Sequence, residues 1–107
     1  MKEFEVFDLT FNVGKNKDEN DFLVKNSNKT YTWFHLKDYP SCHGVINETI
    51  ENLDSKVIYK CATIIKNNTK YKNLKNLYVN YISISNIKPT DYPGKVILMK
   101  KPKKIRV

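Results

Sequence analysis

The sequence is poor in glycine, cysteine and arginine, and it has no long apolar run. With three glycines and four prolines in 107 residues, it contains no linker, repeat or low-complexity segment. No stretch approaches the ~20 apolar residues of a membrane helix, and no apolar segment opens the chain as a signal peptide would. No membrane partner is therefore expected, and the expected location is cytosolic or nuclear, with the cytoplasm as the working assignment. Cys42 and Cys61, without an export signal, read as free thiols, a bridge between them being the alternative. The three Asn-x-Thr sequons at Asn28, Asn47 and Asn67 then carry no meaning. Arg106 is the sole arginine, whereas Lys, Asn, Ile and Tyr are abundant, which points to an AT-rich genome.

What is present is sufficient for one domain spanning residues 1–107. The hydrophobic fraction is 40%, and five Phe, seven Tyr and one Trp exclude a wholly disordered chain. Charge is unevenly spread. Residues 1–59 hold seven lysines and ten acids, a net −3. Residues 60–107 hold twelve cations and only Asp91 as an acid, a net +11. That asymmetry suggests a polyanion partner, nucleic acid before membrane, against the alternative of a solvated lysine-rich surface.

The periodicities predict an α+β domain, a twisted and mostly antiparallel sheet with one short and one main helix. Phe7, Leu9, Phe11 and Val13 alternate as a half-buried strand ended by Gly14. Asn16 and Glu19 resemble a capping box opening a short helix, about 17–25, with Phe22 and Leu23 as its buried residues. Thr30 to Lys37 is a strand that places Phe34 and Leu36 on one face and Tyr31, Trp33, His35 and Lys37 on the other. His43 to Ile46 is a short strand. Leu53, Val57, Ile58, Cys61, Ile64 and Ile65 mark the main helix, about 53–67. Leu77 to Ile84 is a strand and Asn86 to Gly94 a loop. Lys95 to Lys100 and Lys104 to Val107 are expected to form a hairpin with Pro102 in its turn.

The inventory for chemistry is thin. His35 and His43 are the only histidines, and with Cys42 and Cys61 they match no zinc spacing, so no metal and no cofactor is expected. Ser41 has no evident orienting acid, and Gly14-Lys15-Asn16 has no Walker spacing. The alternating Tyr31, Trp33, His35 and Lys37 are more informative, because flat rings beside cations suit base stacking and phosphate contact. Trp33 can equally pack under a helix.

Four runs share a common pattern: Val13-Gly14-Lys15-Asn16, Asn20-Asp21-Phe22-Leu23, Trp33-Phe34-His35-Leu36-Lys37-Asp38 and Pro40-Ser41-Cys42-His43. Together they resemble the NFACT-R domain. The Cys61-Ala62 helix, Asn86-Ile87-Lys88-Pro89 and Pro93-Gly94-Lys95-Val96 extend the likeness from about Thr10 to Val107. Asn16, Asn20, Trp33, His35 and His43 carry over directly. Lys15 replaces the commoner Arg, Thr32 stands where the family has an acid, and Ser41-Cys42 replaces Gly-Ser.

The resemblance implies an RNA-binding module. Large members place it beside other domains in ribosome-associated quality-control factors, where it is thought to help hold tRNA or rRNA. It is also the N-terminal part of small eukaryotic coiled-coil-domain proteins. Here it is expected to stand alone. The expectation is thus a non-catalytic RNA-binding domain whose partners are tRNA or rRNA and, through them, the ribosome. Lys15, Asn16, Asn20, Trp33, His35, Lys37 and His43 would form the site. Lys88, Lys100, Lys101, Lys103, Lys104 and Arg106 would supply phosphate attraction. The alternatives are an RNA-acting enzyme using His35 and His43 as general acid and base, or a protein-interaction module.

Overall fold

The computed structural model describes residues 1–107. Its elements run β1 (Lys2–Val6), β2 (Leu9–Val13), α1 (Lys17–Asn26), β3 (Thr32–Leu36), β4 (Gly44–Ile46), α2 (Ser55–Asn67), β5 (Tyr78–Ser83), β6 (Ile87–Pro89), β7 (Val96–Leu98) and β8 (Lys103–Arg106). Six strands form one antiparallel sheet in the order β1-β2-β4-β3-β5-β8, and β6 pairs with β7 in a separate two-stranded unit. The α+β architecture expected from the periodicities is the one observed.

Strand parity on β3 divides the molecule into three layers. Phe34 and Leu36 face α2, where Phe11, Ile46 and Val79 meet Cys61, Ala62 and Ile65. Trp33 faces the opposite way and packs with Val45 and Ile82 beneath Leu23 and Val24 of α1 and Ile87 of β6. Thr32 is fully buried, and its hydroxyl donates to the Glu48 carbonyl at 3.0 Å. The expected acid position is therefore closed on the backbone.

Both helices are capped by side chains that accept from otherwise unpaired N–H groups. Asn16 Oδ1 accepts from Glu19 N at 2.9 Å, and the Asp54 carboxylate accepts from Val57 N at 3.0 Å. Glu19 reaches back as in a capping box, but accepts from Lys15 N at 2.8 Å, one residue ahead of the cap. On α1 the buried residues are Asn20, Leu23 and Val24. Phe22 lies off that stripe and is 56% exposed, contrary to the expectation that it is buried.

Other expectations are corrected at the two ends of the chain. Phe7 is not a strand residue. It sits at φ 53° in the two-residue turn between β1 and β2, a conformation such hairpins favour, with its ring exposed. β1 was not legible because Lys-Glu-Phe-Glu-Val carries the charges of an edge strand and little apolar signal. The stretch expected as a loop from Asn86 to Gly94 contains β6. The expected hairpin of Lys95–Lys100 with Lys104–Val107 does not form, because burial sends its two halves to different layers. Val96 and Leu98 of β7 pack with Ile87 on the Trp33 side. Ile105 of β8 packs on the α2 side, and β8 pairs with β5.

Candidate nucleic-acid interface

Trp33 and His35 lie two residues apart on β3 and therefore share a face. Their rings stack at 5.4 Å between centroids and 6° between planes. His43, just before β4, meets His35 edge to face at 4.9 Å. Trp33 Nε1–H donates to His43 Nδ1 at 3.1 Å, so the neutral His43 carries its hydrogen on Nε2. His43 N in turn donates to Asn20 Oδ1 at 3.1 Å, which ties α1 to the sheet. Gly14 makes that approach possible: a Cβ there would lie 2.2 Å from Asn20 Oδ1.

These rings floor an open groove of about 790 Å³, whose charged lining residues are Lys17, Lys95 and Asp38. One wall is the Pro93-Gly94 turn, where Gly94 has φ +81° and a Cβ would press on the Lys17 carbonyl at 3.1 Å. His35 is half-buried, and its Nδ1–H donates to the Leu36 carbonyl at 2.6 Å. That leaves Nε2 as an acceptor suited to a ribose hydroxyl or a base N–H.

A second groove of about 640 Å³ carries Lys2, Lys15 and Lys70, and no acidic side chain lines it. The two grooves meet at Asn20, Pro40 and Ser41, which line both. Ser41 Oγ is engaged locally, accepting from Leu36 N at 3.0 Å and donating to the Cys42 carbonyl at 2.8 Å. Cys42 and Cys61 are free thiols. Burial pushes them up to about 11 and about 12, so neither is a thiolate at neutral pH.

Burial also lowers both imidazoles. His43 is pushed down to about 3, first by burial and then by His35 beside it, against opposing effects of the Asp21 carboxylate and the Gly94 carbonyl. His35 is lowered by burial, against its bond to the Leu36 carbonyl. Both folded values lie below the unfolded one of about 6.5, so the unfolded chain binds more protons once the pH falls below that value. Stability present at pH 7.5 should be lost on acidification, by about 1.4 kcal/mol per pH unit for each histidine held neutral. Urea unfolding between pH 7.5 and pH 5.5 measures this before the carboxylates titrate. A midpoint constant across that interval would show that both rings are open to water.

The residues expected at the site are dispersed in an informative way. Asn20, Trp33, His35 and His43 converge on one groove, and Lys15 lines its neighbour. Trp33 is only 2% exposed, so the reading in which it packs under a helix is the observed one and it shapes the groove from beneath. Asn16 serves as the cap of α1, and Lys37 lines neither groove. Lys104 shares a cross-strand row with Asn80 and His35, its Nζ 5.0 Å from the Tyr78 ring centroid. Lys103 pairs instead with Tyr81, whose ring stacks on Phe34 of the α2 face. Lys100 and Lys101 share a groove with Lys103 and Glu51, Arg106 pairs with Tyr78 at the end of β8 and borders a groove with Tyr59 and Lys66 of α2, and Lys88 is exposed on β6. Sequence reasoning missed Lys2, Lys17, Lys70 and Lys95. Three of the five groove lysines come from the acidic half of the chain, so charge summed along the sequence did not locate them.

A groove floored by rings and joined to a second one lined by Lys2, Lys15 and Lys70 has the chemistry of a polyanion-binding module. Comparison with known proteins supplies the family. A profile of the NFACT protein RNA binding domain matches residues 5–100, and the chain belongs to that family of RNA-binding modules. Coiled-coil domain-containing protein 25 of Bos taurus is 33% identical over 86 residues, covering 76% of this chain and 41% of that protein. Its Danio rerio counterpart is 30% identical over 86 residues, covering 76% of this chain and 42% of that protein. The chain thus spans about two fifths of the curated relatives it matches. The solved C-terminal part of the fibronectin/fibrinogen-binding protein of Streptococcus suis aligns with a TM-score of 0.85 and 27% identity, over 94% of this chain and 41% of that one. No helix is long and apolar enough to cross a membrane.

Proposed function

We propose that this domain binds RNA in the joined grooves without cleaving it, and that the RNA is a tRNA or rRNA segment met in a cytoplasmic translation or ribosome-quality-control setting. The observation that carries the reading is convergence. Asn20, His35 and His43 of separate motifs line one groove, and five lysines from both halves of the chain line the two joined grooves. Lysine ammonium groups supply sequence-independent attraction to phosphate, and His35 Nε2 supplies a directed acceptor. The histidine pair is poorly set up for acid–base cleavage. His43 Nδ1 is occupied by Trp33, and its low value leaves no imidazolium to donate a proton at neutral pH.

Affinity purification followed by sequencing of the bound RNA tests this. Enrichment of tRNA or rRNA fragments, lost on nuclease treatment, is the expected result. The same RNA incubated in metal-free buffer from pH 5 to pH 8 should stay intact. A protein fraction free of RNA would sink the binding proposal. Cleavage with a bell-shaped pH profile, abolished in His35→Ala, would replace it with the enzymatic one.

A further inference from the structure

The ring expected to stack on bases is buried, yet the junction of the two grooves carries another pair of rings. Tyr39 lines the His35 groove and Tyr71 lines the Lys2–Lys15–Lys70 groove. Their ring centroids are 4.6 Å apart with planes tilted by 48°. Tyr39 is 37% exposed, the residue before it, Asp38, sits at φ 69°, and the residue after it is Pro40. A left-handed residue followed by a proline holds this turn in a restricted shape, so Tyr39 is presented from a stiff support. Tyr71 is held from the other side. Its backbone N–H donates to Thr69 Oγ1 at 3.2 Å, and Lys70 Nζ lies 5.5 Å from its ring centroid. Lys2 Nζ, on the same wall, donates to Asn68 Oδ1 at 2.8 Å, which positions its charge.

We propose that Tyr39 and Tyr71 form the base-stacking platform of this domain, and that its ligand is single-stranded RNA crossing from one groove to the other. Lys2, Lys15 and Lys70 hold the phosphates on one side of the platform, and His35 meets the next nucleotide on the other. The strand must be single because a paired and stacked base offers no free face to a side-chain ring, whereas an unpaired base does. The inference rests on the RNA-binding reading above and adds the form of the RNA and the residues that contact its bases.

Fluorescence anisotropy with the full chain tests it, using a labelled single-stranded RNA of about ten nucleotides, its duplex, and an abasic strand of equal length. The single strand should bind more tightly than the duplex. Tyr39→Ala should weaken single-strand binding about tenfold or more, without altering the salt slope, and Tyr39→Phe should restore it. The abasic strand should bind weakly to the wild type and equally weakly to Tyr39→Ala. Lys2→Gln with Lys70→Gln should instead lower the salt slope. Tyr39 is exposed enough for its variants to fold, so the test does not depend on the half-buried Tyr71. If the wild type binds RNA and Tyr39→Ala binds equally well, or if the duplex binds better, the platform is refuted while the RNA-binding reading stands. If the wild type binds none of the probes yet co-purifies with RNA, the platform is refuted and the RNA-binding reading stands; if it also purifies free of RNA, both fall.

Discussion

RNA affinity should fall about 300-fold as monovalent salt rises from about 50 to about 200 mM. The figure follows from counting cations that face the ligand. Lys2, Lys15, Lys17, Lys70 and Lys95 line the two grooves, and Lys104 extends the His35–Asn80 row to the sheet edge. Six phosphate contacts on a single strand release counterions with a log–log slope of roughly −4. Lys104→Gln should reduce the slope by about 0.7. Lys103→Gln, at the position paired with Tyr81 of the α2 face, should leave it unchanged. Titration of a labelled RNA at several salt concentrations reads both numbers. An affinity indifferent to salt would mean that the lysines are a solvated surface and that the groove binds something other than a phosphate backbone.

Trp33→Ala should cost about 3–5 kcal/mol of stability, the range for truncating a buried aromatic. That is a large share of the roughly 5–15 kcal/mol that holds a domain together. The ring fills the layer between the sheet and α1, and its Nε1–H is the partner of buried His43 Nδ1. Trp33→Phe separates these two roles. It keeps most of the packing but leaves His43 Nδ1 unpaired, for an expected loss of about 1–3 kcal/mol. Urea unfolding measures both variants. RNA affinity of folded Trp33→Phe should stay close to wild type, because the ring acts from below the groove. Full stability combined with lost binding would show instead that Trp33 itself touches RNA.

Much of the arrangement was legible in the sequence where a local rule determines the outcome. Asn16 caps its helix, the α2 stripe is apolar at helical spacing, and β3 alternates strictly, so these elements fall where pattern places them, although α2 opens at Ser55 behind an Asp54 cap that the apolar spacing does not mark. The family motifs likewise name Asn20, His35 and His43, which the fold brings to one groove. What local pattern does not determine is which partner an apolar strand chooses. Val96, Leu98 and Ile105 look equivalent in sequence, yet the first two bury beside Trp33 and the last beneath α2. The hairpin expected from their proximity was lost to that choice. Exposure was illegible for a similar reason. Parity puts Trp33 and His35 on one face, but only the arrival of α1 and β6 decides that the indole is covered and the imidazole half open. The Tyr39–Tyr71 pair joins residues 32 positions apart across a groove junction, which no periodicity encodes.

The alternation of β3 has a further consequence for how this domain can change. Trp33 and Phe34 are adjacent in the chain but belong to separate buried clusters on opposite sides of one sheet. The sheet acts as a septum. The Trp33 cluster and the α2 cluster share no member, so packing defects in the two should combine almost additively. The Trp33 layer beneath His35 can therefore drift on its own, whereas the Lys2–Lys15–Lys70 groove, lined by Val13, Cys42 and Tyr71, changes with the α2 side.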